Sequence, residues 1–201
     1  VLVGKDGWLF TSEEFQYYPE GDKAMQDKLE LAVTVQEKLA EFGSNLIVVI
    51  IPSKARVYSE NLGRYSLPKY NQDVYETFAA ELEARNIQVV RLLEPLSIAK
   101  TQQDVFLKTD THWTLYGAEV AAQNIAETVA EHNLLPSMNT ATYQTTSKEA
   151  VLSHKGDLLN YLPLGSFQER LGPAFDALSE QTTEVTGESL GGGLFGESTI
   201  P

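Results

Sequence analysis

The chain has 201 residues, 42% of them hydrophobic, no cysteine, and 28 acidic against 15 basic side chains, for a net charge of −13 at neutral pH. That length is enough for one domain with a full core, and no run approaches the roughly 18 apolar residues of a membrane-spanning helix. The absence of cysteine excludes disulfides, thiolate metal sites and a cysteine nucleophile, and the acidic balance argues against nucleic acid or an anionic membrane surface as the partner.

In chain order, "VGKDGWLF" at the start has a Lys-Asp-Gly turn before Trp8, Leu9 and Phe10, the pattern of a short hairpin with aromatics in the core. Asp22 to Phe42 repeats Met25, Leu29, Ala32, Val33, Val35, Leu39 and Phe42 mostly at three- and four-residue intervals, so it is expected to form an amphipathic helix that stops at Gly43. "NLIVVII" reads as a buried strand, Asn71 to Arg85 as a second helix, "IQVVRL" as a second strand and "LEPLSIAKT" as a short helix with Pro near its start. "DVFLKTD" is expected to be a third strand, and Thr114 to His132 a long helix with Val120, Ala121, Ile125 and Val129 on one stripe. Alternating strands and helices predict an α/β fold with a mostly parallel sheet covered on both faces.

Charge is unevenly distributed along this chain. From Gln168 onward six acidic residues face Arg170 alone, whereas Pro52 to Tyr70 carries Lys54, Arg56, Arg64 and Lys69 against Glu60. That basic stretch is either a solvated loop or a contact for an anionic substrate. Lying just past the end of a predicted strand, Lys54 and Arg56 are the candidate substrate-binding cations.

Ligands of open α/β sheets gather at the carboxyl ends of the strands, and Asp110-Thr111-His112 falls at one such end. In an extended chain two residues apart share a side, so the carboxylate can reach the imidazole. A carboxylate on Nδ1–H fixes the tautomer and leaves Nε2 to take a proton from a hydroxyl nucleophile. The alternative is that Asp110 or Thr111 caps the next helix and His112 merely packs. A metal site is not expected, because His132 and His154, the other histidines, have no ligand spacing.

Four blocks, "VGKDGWLF", "IPSKARVYSENL", "TDTHWTLYGAEVAA" and "HKGDLLNYL", together resemble the SGNH-hydrolase-like domain of the alginate O-acetyltransferases of AlgJ and AlgX type, in order and over most of the chain. The resemblance implies a three-layer α/β/α fold with a mostly parallel central sheet over residues 1–201, a single domain truncated at its C-terminal end. It also implies that Asp110 and His112 work with a serine as a catalytic triad, in O-acetyl transfer to a polysaccharide or in ester hydrolysis. The family's serine follows a further apolar strand, so the nucleophile is expected beyond Pro201. Ser53, in "PSK", and Ser198, in "GES", are the internal candidates, and neither fits that context. No cofactor and no metal are implied. Expected partners are the polysaccharide and membrane-bound acetyl-transfer and export machinery, in the periplasm. Val1 at the start is compatible with an upstream leader or anchor. A non-catalytic carbohydrate-binding or assembly role in polysaccharide export is the alternative, as is an SGNH-like domain acting on another acyl substrate.

Overall fold

A computed structural model describes residues 1–132 and 142–186. Its centre is a parallel pair of strands, β3 (Ile47–Ile50) and β4 (Gln88–Arg91), in register from Ile47 opposite Gln88 to Ile50 opposite Arg91. Strand alternation sorts their side chains into two cores. Ile47, Val49 and Val90 join the cluster that contains Leu96 of α5 (Leu93–Ala99) and Val120 and Ala121 of α6 (Leu115–Glu131). Val48, Ile50 and Val89 join the other, with Leu29 of α1 (Gly21–Glu41) and Ala79 and Leu82 of α4 (Val74–Glu83). Helices therefore cover both faces of the sheet, the three-layer arrangement expected from the sequence.

Local signals account for the ends of these elements. α1 stops where the Gly43 and Ser44 N–H groups return to the carbonyls of Ala40 and Leu39, the 5→2 and 6→1 bonds of a Schellman ending. α4 finishes the same way, with Asn86 at φ 58° and Ile87 N–H bonded to Leu82 O. The N-terminal turn forms a two-stranded hairpin, β1 (Leu2–Val3) with β2 (Leu9–Phe10), whose Trp8, Leu9 and Phe10 are all buried.

The third strand is a correction. Val105, Phe106 and Leu107 are buried as their apolar run predicts, but they do not join β4. Their backbone groups are taken locally: Phe106 bridges Trp113, Leu107 N–H bonds to His112 O, Thr114 N–H bonds to Val105 O, and Lys108 O accepts from Leu9 N–H. An apolar run reports burial and carries no information about which backbone satisfies its hydrogen bonds.

This fold-back sits hard against the start of α6. A Cβ added at Gly117 would lie 2.1 Å from Val105 O, a backbone atom that Thr114 N–H already holds. Gly117→Ala would gain up to about 1 kcal/mol of helix propensity, yet the overlap forces the helix off the loop. A net loss of about 1–3 kcal/mol is expected, read as a lower midpoint in chemical denaturation.

A long antiparallel hairpin, β5 (Tyr143–His154) with β6 (Asp176–Val185), was not foreseen. It is exposed over most of its described length, and His154 stands opposite Asp176 at its base. That base touches the loop after Lys108.

Candidate active site

The site begins with the loop 107–112 and what holds it from beneath. Lys54, at the start of α2 (Lys54–Val57), is only 6% exposed, and its Nζ donates to the carbonyl oxygens of Leu107 (2.9 Å), Lys108 (3.1 Å) and Asp110 (2.6 Å). Burial pulls its pKa down to about 8, against the opposing pull of Asp176, Asp110 and Asp157. The Trp8 and Phe10 rings lie 5.7 and 5.6 Å from the ammonium, adding a cation–π contribution. All three Nζ donors are occupied by main chain, which leaves none for a substrate carboxylate.

From above, the hairpin base closes on the same loop. The Asp176 carboxylate accepts from Lys108 N–H (2.7 Å), Thr109 N–H (2.9 Å) and the Thr109 hydroxyl. Gly156 approaches so closely that a Cβ there would fall 2.1 Å from Thr109 O. Asp157, in the turn that follows, accepts from Thr111 N–H (2.9 Å) and the Thr111 hydroxyl.

Held this way, Asp110 is 4% exposed and its carboxylate accepts four N–H groups. Oδ1 takes His112 N–H (3.0 Å) and faces His112 Nδ1 at 2.7 Å; Oδ2 takes Asp157 N–H (2.9 Å) and faces His154 Nε2 at 2.9 Å. The bond to His112 N–H makes an Asx turn, so the pair meets across a bend and not along an extended strand. Burial alone would raise the Asp110 carboxyl, but the side-chain donors His154 and His112 and the two backbone N–H groups outweigh it and hold the carboxyl well below the usual carboxylate range. An ionised carboxylate only accepts, so the nitrogens that face it carry protons; in the neutral His112 ring the lone pair is then on Nε2. The His112 side chain is 77% exposed, and no hydrogen bond engages Nε2 among the described residues.

The helix-cap alternative does not describe this geometry. The cap of α6 is Thr114, whose Oγ1 accepts from Gly117 N–H at 3.0 Å. Ligand atoms of Asp110, His112 and Asp157 lie within 4.8 Å of one another. Both carboxylates already accept protein N–H or O–H groups there, so a cation would have to displace those donors.

The remaining candidates are dispersed. Arg56 is bound to Glu14 (3.1 Å) and to the carbonyls of Asn71 and Gln72, and Arg64 lies over the Tyr65 ring. Lys54, Arg56 and Arg64 are thus each engaged by different protein groups. Arg56 and Ser53 instead line a cleft of about 1030 Å³ at the carboxyl end of β3, with Tyr17, Tyr70 and Phe78, and neither Asp110 nor His112 reaches it. Ser53 Oγ is buried without a hydrogen-bond partner among the described residues. Ser198 lies outside the described residues. Sequence reasoning missed His154, Asp157 and Asp176; the block "HKGDLLNYL" contains the first two and was the available signal.

Comparison with known proteins gives this constellation a context. The whole chain, residues 1–201, matches the family model described as the SGNH hydrolase-like domain of the acetyltransferase AlgX. It is 40% identical to a probable alginate O-acetylase AlgJ of Pseudomonas putida and 39% identical to that of Pseudomonas aeruginosa, in each case over the full chain but only 52% of the relative. The chain thus spans about half the length of the curated relatives it matches. Among solved structures, the O-acetyltransferase domain of Pseudomonas putida AlgJ superposes with a TM-score of 0.85 at 40% identity, over 92% of this chain and 65% of that one. Pseudomonas aeruginosa AlgX, 23% identical over 94% of this chain and 44% of its own, has the same fold with a TM-score of 0.67.

Proposed function

The chain belongs to the family of SGNH hydrolase-like AlgX acetyltransferase domains, and from that premise we propose that it is the base-bearing part of a polysaccharide O-acetyltransferase. The observation that carries the reading is the 2.7 Å contact between Asp110 Oδ1 and His112 Nδ1, with the opposite edge of the ring open to solvent.

Asp110 holds the ring and favours the imidazolium, and His112 Nε2 removes the proton from a serine hydroxyl. The serine oxygen attacks the acetyl carbonyl of a donor ester, the tetrahedral oxyanion collapses, and His112 returns the proton to the departing alcohol. A sugar hydroxyl, deprotonated by the same nitrogen, then takes the acetyl group and frees the serine. Water in place of the sugar gives the esterase reaction. Ser53, whose oxygen is occluded, is not offered to His112 in this way. The proposed nucleophile is a serine beyond Pro201, as the family resemblance implies. The names of the relatives support alginate as acceptor, and the periplasm is proposed as location from the family resemblance. No helix among the described residues is long and apolar enough to cross a membrane.

The test is acetyl transfer from a chromogenic acetyl ester to oligouronate, with hydrolysis measured in parallel, on full-length protein. Asp110→Ala is expected to lower turnover about 10⁴-fold and leave a measurable residue, because the imidazole survives without its orienter. Wild-type turnover in that variant, or binding of the polymer by wild type without any acyl chemistry, contradicts the proposal.

A further inference from the structure

The Asp110 carboxylate faces two imidazoles, and the function proposed above uses one. His154 arrives from the end of β5, 44 residues on, and its Nε2 lies 2.9 Å from Asp110 Oδ2. Its side chain is 35% exposed, while the Asp110 side chain beneath it is 6% exposed. Asp110 is ionised and can only accept, so this nitrogen also carries its proton. Two ring N–H donors therefore share one carboxylate, His112 on the inner oxygen and His154 on the outer.

We propose that His154 is a positioning residue for the Asp110–His112 pair: its Nε2–H occupies the outer carboxylate oxygen and sets how much of the negative charge is left to hold His112 Nδ1–H. Three features carry this inference. The outer oxygen also receives Asp157 N–H and the inner one His112 N–H, so the carboxylate keeps its place if His154 is removed and only its charge distribution changes. His154 is itself fixed by register, opposite Asp176, whose carboxylate grips Lys108 and Thr109 of the same loop. Most of the hairpin's described side chains are exposed, and the ring hydrogen bond at its base is a contact through which β5 reaches the candidate pair. A donor on a carboxylate withdraws charge from its other oxygen, and hydrogen bonds in one low-dielectric network polarise one another.

The inference rests on Asp110 and His112 being the working pair, and its test is chosen to fail separately from that reading. Imidazole ¹H–¹⁵N spectra of the protein should contain a His112 Nδ1–H and a His154 Nε2–H signal, both displaced in Asp110→Asn. In His154→Ala the Asp110 charge falls on His112 alone, and the His112 Nδ1 proton is expected to move downfield. His154→Gln, whose amide nitrogen stands near the position of Nε2, is expected to return it. His154→Asn, polar but too short to reach, serves where His154→Ala does not fold, and should give the same displacement. An unmoved His112 signal in a folded variant that lacks the donor, or a Gln variant that behaves like Ala, overturns the proposal. In the acetyl-transfer assay the variant should change kcat at unchanged KM, with rescue by Gln. Spectra that follow this pattern in a protein without acyl-transfer activity would keep the positioning role and remove the enzymatic reading.

Discussion

Replacing His112 by Ala is expected to reduce acetyl transfer by the full protein about 10⁶-fold, to background, while leaving its thermal melting unchanged. The chemical half follows from the tautomer: Nε2 is the lone pair available to a hydroxyl, and without it the serine keeps its proton. The structural half follows from exposure. With 77% of the His112 side chain in solvent, truncation opens no cavity and removes no core contact. Its one strong side-chain bond is to Asp110, which keeps three other N–H donors. Turnover and melting should therefore separate cleanly. Near-normal turnover in a folded variant would reject His112 as the base, and a collapse of melting would return it to a structural role.

Lys54→Met should behave in the opposite way, losing stability and activity together. Methionine keeps the apolar stem against Trp8 and Phe10 but leaves the carbonyls of Leu107 and Asp110 without the Nζ donor in a buried place, while Lys108 O keeps the Leu9 N–H. Unsatisfied buried acceptors cost about 1–3 kcal/mol each, and breaking up a buried charged cluster costs about 3–5 kcal/mol. A loss of about 3 kcal/mol lowers the Tm of a domain this size by roughly 6–12 °C. The loop that carries Asp110 and His112 would loosen at the same time.

The pH dependence adds a second readout. The Lys54 pKa is about 8 in the fold against 10.5 for the ordinary side chain, with burial as the chief cause. Between those values the unfolded chain binds the proton more tightly than the folded one, so this group makes stability rise with pH from 8 to 10.5. The Met variant lacks that contribution. The stability gap between the two proteins should widen across this window in denaturant titrations. A gap that narrows there would mean that the ammonium is not buried as described.

The contrast between these two residues also marks what the amino-acid sequence made legible. Periodicity placed α1, α6, β3 and β4 nearly to the residue, because the pattern that buries one face is written in consecutive positions. The Asp110–His112 pair was visible for the same reason, two residues apart on one loop. Lys54 was read as a cation available to a substrate, since lysine is ordinarily solvated; nothing nearby in sequence announces three carbonyls converging on its Nζ from more than 50 residues away. His154 and Asp176 were missed on the same ground. Their partners lie 44 and 67 to 68 residues distant, and the hairpin that delivers them is polar, with Thr145 opposite Thr183 and Thr146 opposite Thr182, so it has no alternating apolar signature. The third strand failed differently. Its burial was predicted correctly, and its hydrogen bonds were assigned to the wrong neighbour.

Covalent labelling of the full protein with a serine-reactive phosphonate, followed by intact-mass and peptide mapping, addresses the central claim directly, because it reads the nucleophile that His112 activates and needs no knowledge of donor or acceptor. One adduct per chain is expected, on a serine beyond Pro201, formed rapidly by wild type, slowly by Asp110→Ala and not at all by His112→Ala. An adduct on Ser53, or one that His112→Ala acquires at the wild-type rate, would contradict the assignment of Asp110 and His112 as the orienting and base residues of an acyl-transfer site.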